Sequence, residues 1–254
     1  MLLIIPAIDI KDGKCVRLVQ GELGTEKIYS NDPVQMAILC RGENFKTLHV
    51  IDLDGAFEGK MKNLDLIKQM VNAVDIPIQV GGGIRTYEQV KQLFDIGIYR
   101  VVVSTIAVED PDLLKKLIDD FGPRKIIVAI DVKNGIVQTR GWKEDAGLMA
   151  ISLALNVKQL GVQRIVYTDI LRDGTMVGPN LEAIKDIALK TGLRVTASGG
   201  VSGMQDLWKL QELEQYGVDS VIIGKALYEN KFACQKLWRL NEKELADLGP
   251  TRRR

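Results

Sequence analysis

The 254-residue chain carries 34 Lys and Arg against 33 Asp and Glu, a formal net charge of +1, with 46% hydrophobic and 26% charged residues. These ordinary globular values exclude disorder and leave no field strong enough to make nucleic acid or a membrane surface the main partner. The apolar runs are far shorter than the ~20 residues that cross a bilayer, and the N-terminus has no basic region or cleavage-site pattern, so a cytoplasmic location is expected.

From the N-terminus, the β-branched run Leu2 to Ile10 predicts a first strand that ends around Asp9 and enters a Lys-x-Gly turn. Further runs at Leu48 to Leu53, Ile76 to Val80, Arg100 to Ser104, Ile126 to Val132, Ile165 to Ile170, Arg194 to Ala197 and Ser220 to Ile223 predict seven more. Between them, apolar residues fall at helical spacing, as in Leu64, Ile67, Met70 and Val71, or Leu113, Leu114, Leu117 and Ile118. Strands alternating with helices and no linker-like break imply a parallel sheet and a single domain over residues 1–254. Eight such units close into an α/β architecture, the (β/α)8 TIM barrel.

An internal repeat strengthens this expectation. Ile4-Ile5-Pro6-Ala7-Ile8-Asp9-Ile10-Lys11-Asp12-Gly13 matches Ile126-Ile127-Val128-Ala129-Ile130-Asp131-Val132-Lys133-Asn134-Gly135 without a gap. Gly82-Gly83-Ile84 then corresponds to Gly199-Gly200-Val201, and Val101-Val102-Val103-Ser104 to Val221-Ile222-Ile223-Gly224, in the same order. Two repeated (β/α)4 half-barrels, about 1–122 and 123–254, are expected.

Cys15, Cys40 and Cys234 are widely spaced and form no CxxC pair, which argues against a disulfide framework or a cysteine zinc site and for reduced, structural thiols. With His49 as the only histidine, a His-rich metal centre is not expected, and carboxylates must carry most proton chemistry. The terminal Arg252, Arg253 and Arg254 read as a frayed polar tail.

In a parallel barrel the active face lies at the C-terminal strand ends. Asp9 and Asp131 both stand there; a lone strand-end aspartate can simply cap a turn, but two at repeat-equivalent positions point at one central pocket. The second constellation is glycine-rich: Gly81-Gly82-Gly83 with Arg85, Ser104-Thr105, Ser198-Gly199-Gly200, and Gly224-Lys225. Such loops turn corners, and they also let backbone N–H groups approach an anion. Their recurrence in both halves, and after the last two strands, predicts two phosphate cradles and hence a ligand with a phosphate at each end.

A third segment, Tyr167-Thr168-Asp169-Ile170-Leu171-Arg172-Asp173-Gly174-Thr175, supplies hydroxyls and further carboxylates. Thr168 can orient a reacting oxygen or a catalytic carboxylate; Asp173 can serve as an acid, or Asp173-Gly174 can be a plain turn. In Arg140-Gly141-Trp142 the indole offers a plane for stacking on a heterocycle, or for packing. His49 is expected to be a buried, hydrogen-bonded histidine beside the pocket, with Asp52 on the same strand, and Asp54-Gly55 a turn.

Taken together, Pro6-Ala7-Ile8-Asp9, Gln79-Val80-Gly81-Gly82-Gly83-Ile84-Arg85, Ala129-Ile130-Asp131-Val132, Arg140-Gly141-Trp142, Thr168 to Thr175 and Ser198-Gly199-Gly200 closely resemble the isomerase family of histidine biosynthesis that acts on phosphoribosylformimino-aminoimidazole carboxamide ribotide. The resemblance spans essentially the whole chain; one departure is Ser104, where the family often has glycine. It implies an Amadori rearrangement of an aminoaldose to an aminoketose without a metal or organic cofactor. Asp9 is then the base and Asp131 the proton donor, with Asp173 the rival donor and Thr168 in support. Gly82, Gly83, Arg85, Ser104, Thr105, Trp142, Gly174, Gly199, Gly200, Gly224 and Lys225 become substrate contacts, and no obligatory protein partner is implied.

The cyclase subunit of imidazole glycerol phosphate synthase is similar in its half-barrel repeat and both aspartates, but Thr168-Asp169 and Gly141-Trp142 look more like the isomerase. Such a subunit would need a glutaminase partner delivering ammonia. A dual isomerase would also convert phosphoribosyl anthranilate with the same carboxylates, and a noncatalytic phosphometabolite-binding protein would bind either substrate without turnover.

Overall fold

The computed structural model describes residues 2–232. Eight parallel strands form the barrel: β1 (Leu3–Lys11), β2 (Leu48–Asp52), β3 (Ile78–Gly81), β4 (Arg100–Val103), β5 (Ile126–Lys133), β6 (Arg164–Asp169), β7 (Arg194–Ser198) and β8 (Val218–Ile223). Successive strands pair in register, and β8 returns to β1 through Leu3 opposite Ser220 and Pro6 opposite Ile223, so the sheet closes without an edge. The expected (β/α)8 barrel is thus the observed fold.

The helices on its outside are α1 (Pro33–Gly42), α2 (Leu64–Ala73), α3 (Tyr87–Asp95), α4 (Pro111–Phe121), α5 (Ala150–Gln159), α6 (Leu181–Thr191) and α7 (Met204–Glu212). Four of them are started by side-chain caps that the sequence supplies. Asp32, Asp110 and Asn180 cap α1, α4 and α6 through their side-chain oxygens, and Thr86 with Gln89 forms a reciprocal capping box on α3. The apolar stripes then dock on the sheet: Ile67 and Met70 of α2, and Leu114, Leu117 and Ile118 of α4, are buried.

Four short strands, in two flaps, lie outside the expected eight. Lys14–Arg17 and Lys27–Ser30 extend β1 as an antiparallel flap, and Ile136–Thr139 and Glu144–Met149 do the same for β5. Asp12-Gly13 and Asn134-Gly135 make the first turn of each, with all four residues at positive φ (49, 71, 53 and 81°), the backbone pattern of a two-residue hairpin. The repeat is also visible where β2 and β6 end. Asn63 Nδ2 donates to Asp52 Oδ1 over 2.7 Å, and Asn180 Nδ2 to Asp169 Oδ2 over 2.8 Å.

Some expected boundaries shift. Leu53 and the Asp54-Gly55 pair are not strand and turn but the start of a short helix, Leu53–Glu58, because the buried Asp52 carboxylate caps it by accepting from Gly55 N. Ile76 and Pro77 precede β3, since proline donates no N–H to the ladder. Cys15 is buried, and among the described residues it forms no disulfide with Cys40, while Cys234 and Arg252 to Arg254 lie outside the described residues. No helix among the described residues is long and apolar enough to cross a membrane.

The barrel interior is a small apolar plug, Ile5, Ala7, Val102, Ile127, Val166 and Ile222, separate from the larger core between sheet and helices. At the N-terminal end, Arg164 pairs with Asp219 and donates to Thr196 Oγ1 (3.2 Å) and Ser220 Oγ (3.0 Å). That floor leaves the C-terminal strand ends as the open face.

Candidate active site

Every residue expected at the site lines one cavity at that face: Asp9, Asp131, Thr168, Asp173, Gly82, Gly83, Arg85, Ser104, Thr105, Trp142, Gly174, Gly199, Gly200, Gly224 and Lys225. The inward phase of the strands selects them. Asp9 on β1 and Asp131 on β5 follow Ala7 of the plug and Ala129, which packs against it, by two positions, so their side chains project into the same central space.

The carboxylates have unequal surroundings. Asp9 Oδ2 accepts from Arg17 Nη1 over 2.6 Å, with the two side chains only 16% and 10% exposed. Burial raises its pKa above the usual carboxylate range, and the charge and hydrogen bond of Arg17 pull it back. Asp131 is also raised by burial, against hydrogen bonds from the Trp142 and Thr168 side chains; Thr168 is its register partner across the β5–β6 pair. Asp173, from the loop after β6, is pushed up to about 6, first by burial and then by the negative charge of Asp9. Among the described residues it has no cationic hydrogen-bond partner to match Arg17, which leaves it free to hold a proton up to about pH 6.

His49 is buried, and its Nδ1 lies 2.9 Å from Gln79 Nε2. Burial and then the nearby Arg17 charge lower its pKa to about 3, leaving a neutral imidazole. This matches the expected hydrogen-bonded histidine beside the pocket.

The glycine loops have a packing reason of their own. A Cβ on Gly82 would lie 2.2 Å from the Asp52 carbonyl oxygen, and one on Gly83 2.5 Å from that of Gly55. In the other half, Gly200 would meet the Gly178 carbonyl at 2.4 Å and Gly199 that of Asp169 at 3.0 Å. Each pair therefore packs against the loop of the preceding unit, and at Gly82, Gly83 and Gly200 the approach is closer than any side chain tolerates. Ser104 and Gly224 stand at the starts of the short helices Thr105–Glu109 and Lys225–Tyr228.

Three loops roof the cavity. Lys225 Nζ donates to Gly174 O (2.7 Å), Gln20 N to Asp173 O (3.1 Å) and Gln20 Nε2 to Leu171 O (2.7 Å), which joins the first flap to the loop after β6. Trp142 lies against Gly21, where a Cβ would come within 2.3 Å of its ring. Thr105 Oγ1 accepts from Arg140 N (3.1 Å), and Arg140 pairs with Glu109 (2.8 Å) at the rim near Arg85. Arg140, Gly141 and Trp142 all have positive φ (53, 69 and 67°), a conformation costly for the two non-glycine residues.

Arg17 was not singled out in the sequence. Its signal was a lone cation in the apolar run Cys15-Val16-Arg17-Leu18, whose other three members are 1, 4 and 7% exposed. Gly21 and Gln20 gave no such signal, because their contacts depend on how separate loops meet.

The chain matches the family described as histidine biosynthesis protein over residues 3–233. A protein of Chloroherpeton thalassium is 55% identical over 245 residues, covering 96% of this chain and 94% of its own. Relatives from Chlorobium phaeobacteroides and Salinibacter ruber are 54% and 49% identical, covering 95% and 98% of this chain and 93% and 96% of theirs. All three carry the name 1-(5-phosphoribosyl)-5-((5-phosphoribosylamino)methylideneamino)imidazole-4-carboxamide isomerase.

Proposed function

The chain belongs to the histidine biosynthesis protein family and is an isomerase of that pathway, and from that premise we propose how it works: on the doubly phosphoribosylated imidazole carboxamide of its relatives' names, with Asp9 as general base and Asp173 as general acid. The observation that carries the division of labour is the contrast between Asp9, paired with Arg17, and Asp173, pushed up to about 6. An arginine partner favours the ionised carboxylate that a base needs, and a raised pKa keeps the proton that an acid must give.

The reaction opens the ring of the aminoaldose and moves its carbonyl oxidation level by one carbon. Asp173 protonates the ring oxygen, and the C1–O bond breaks as the amine lone pair forms the C1=N bond. Asp9 then takes the C2 proton, the C2–H electrons form C1=C2 as the C1=N pair returns to the nitrogen, and the enolamine becomes the C2 ketone by gaining a proton at C1 and losing that of the C2 hydroxyl. Two positioned proton transfers at ~10² to 10⁴ each supply roughly 3 to 5 kcal/mol apiece. Holding the substrate in place must contribute much of the rest.

Asp131 has a different place in this reading from the donor role that the family resemblance implied. Burial raises its pKa, and hydrogen bonds from Trp142 and Thr168 offset part of that and fix the carboxylate in place, which suits orienting the substrate's hydroxyl and amine groups. The two phosphoribosyl groups fit the two sets of glycine loops, Gly82, Gly83, Arg85, Ser104 and Thr105 on one side and Gly174, Gly199, Gly200, Gly224 and Lys225 on the other. Trp142 would cover the heterocycle after leaving Gly21. We read the enzyme as cytoplasmic and as working without an obligatory protein partner or cofactor.

The test is conversion of this substrate by the purified chain alone, followed by the absorbance change of the product, with phosphoribosyl anthranilate assayed beside it. Turnover of the imidazole substrate is expected; saturable binding without turnover would overturn the assignment.

A further inference from the structure

The guanidinium that faces Asp9 is held by a residue outside the cavity lining. The β1–β8 ladder ends at Pro6 opposite Ile223, and Gly224 turns away with φ −109° and ψ −96°. One residue past that last pair, the Ala7 carbonyl accepts two hydrogen bonds, from Arg17 Nη2 and from the Tyr228 hydroxyl (3.1 Å). The Tyr228 ring lies under the guanidinium, with Arg17 Cζ 5.2 Å from its centroid. On another side the guanidinium packs on Gly224, where a Cβ would come within 2.4 Å of Cζ. Tyr228 is itself fixed from outside: its ring packs on Tyr29 at 4.8 Å, and Glu229 accepts from Tyr29 Oη and pairs with Lys27 at 2.6 Å.

We propose that Tyr228 is a positioning residue for catalysis, holding the Arg17 guanidinium against Asp9 through its ring face and through the shared Ala7 carbonyl. This rests on Asp9 being the general base. Without the ring, the long arginine side chain regains rotamers that leave Asp9 without its counter-charge. Burial raises the Tyr228 phenol far above its usual range, so the hydroxyl remains a neutral donor throughout the working pH. The groups facing Asp9 are Arg17 and Cys15 from the first flap, Asp173 from the loop after β6, and Tyr228 from the last described helix; His49 on β2 feels Arg17. Of these only Arg17 is a cation, so its displacement moves Asp9 in one direction, toward the protonated form.

The experiment compares Tyr228→Leu and Tyr228→Phe with Asp9→Asn, measuring kcat, KM and the pH profile of kcat/KM. Tyr228→Leu is expected to lower kcat at least ~10-fold with KM changed less than ~3-fold, and to move the acid limb up by about one pH unit. Tyr228→Phe, which keeps the ring face, is expected to restore most of both. Should the Leu variant fail to fold, Tyr228→Met fills similar volume without a π face and takes its place. An unmoved acid limb and kcat within twofold of the parent in the ring-less variant, with Asp9→Asn inactive, would overturn the role of Tyr228 alone. Normal turnover in Asp9→Asn would overturn the reading beneath it.

Discussion

Arg17 Nη1 donates to Asp9 Oδ2 across 2.6 Å inside the barrel mouth, and the two side chains are contributed by neighbouring strands of one hairpin, Asp9 opposite Val16. A buried carboxylate would otherwise keep its proton and make a poor base. The hairpin that the Asp12-Gly13 turn closes therefore brings the base its counter-charge within eight residues of chain.

Removing that counter-charge has a predictable sign. Burial already raises the Asp9 pKa and Arg17 opposes it, so Arg17→Met raises it further. The acid limb of kcat/KM moves to higher pH, and activity at pH 7 falls at least ~10². Steady-state rates between pH 5 and 9 check this; an acid limb that stays in place would detach Arg17 from the ionisation of Asp9.

Asp173 sets the opposite limb. With its pKa at about 6, first from burial and then from the charge of Asp9, its proton is lost as pH rises through that value. In the free enzyme kcat/KM is expected to decline above a midpoint near 6, and Asp173→Asn is expected to abolish the decline along with most of the rate. A parent profile flat from pH 5 to 8 would remove Asp173 from the acid role.

The same carboxyl affects stability. Its folded pKa lies above the ordinary 3.8, so its favourable contribution is complete below about pH 4 and is lost as pH rises through about 6. The shift is worth at most about 3 kcal/mol. Asp173→Asn should therefore gain stability relative to the parent between pH 5 and pH 8 while losing activity. Urea unfolding at the two pH values measures the gain, and an equal difference at both would refute the linkage.

Much of this architecture was legible in the sequence. The matched runs ending in Asp9 and Asp131 located two equivalent strand ends, and the glycine pairs located the loops, because backbone packing constrains those positions to few residue types. What was illegible depends on meetings between distant segments. The Asp52 carboxylate starts a helix at Leu53 through partners as far along the chain as Asn63, and Gly21 receives Trp142 from another loop. The flaps after β1 and β5 were missed although Asp12-Gly13 and Asn134-Gly135 announced their turns, since the strands that follow are short and the second of each flap is half-exposed or exposed.

Glycine substitutions separate close packing from backbone freedom. At Gly82, φ is 101° and a Cβ would sit 2.2 Å from a backbone oxygen; at Gly13, φ is 71° and nothing lies within 4 Å. Gly82→Ala is expected to cost at least ~3 kcal/mol, or the fold, and Gly13→Ala only about 1 kcal/mol. Denaturant midpoints decide it, and equal costs would mean that the contact with Asp52 is not what demands glycine.

The mechanism requires that Asp9 take the C2 proton and that Asp173 supply one to the ring oxygen. Its most direct measurement is single-turnover conversion by Asp9→Asn and Asp173→Asn, with substrate affinity determined separately by equilibrium binding. Both variants are predicted to bind within a few-fold of the parent and to lose at least ~10² in turnover. Near-normal turnover by Asp9→Asn, at unchanged affinity, would mean that Asp9 is not the base.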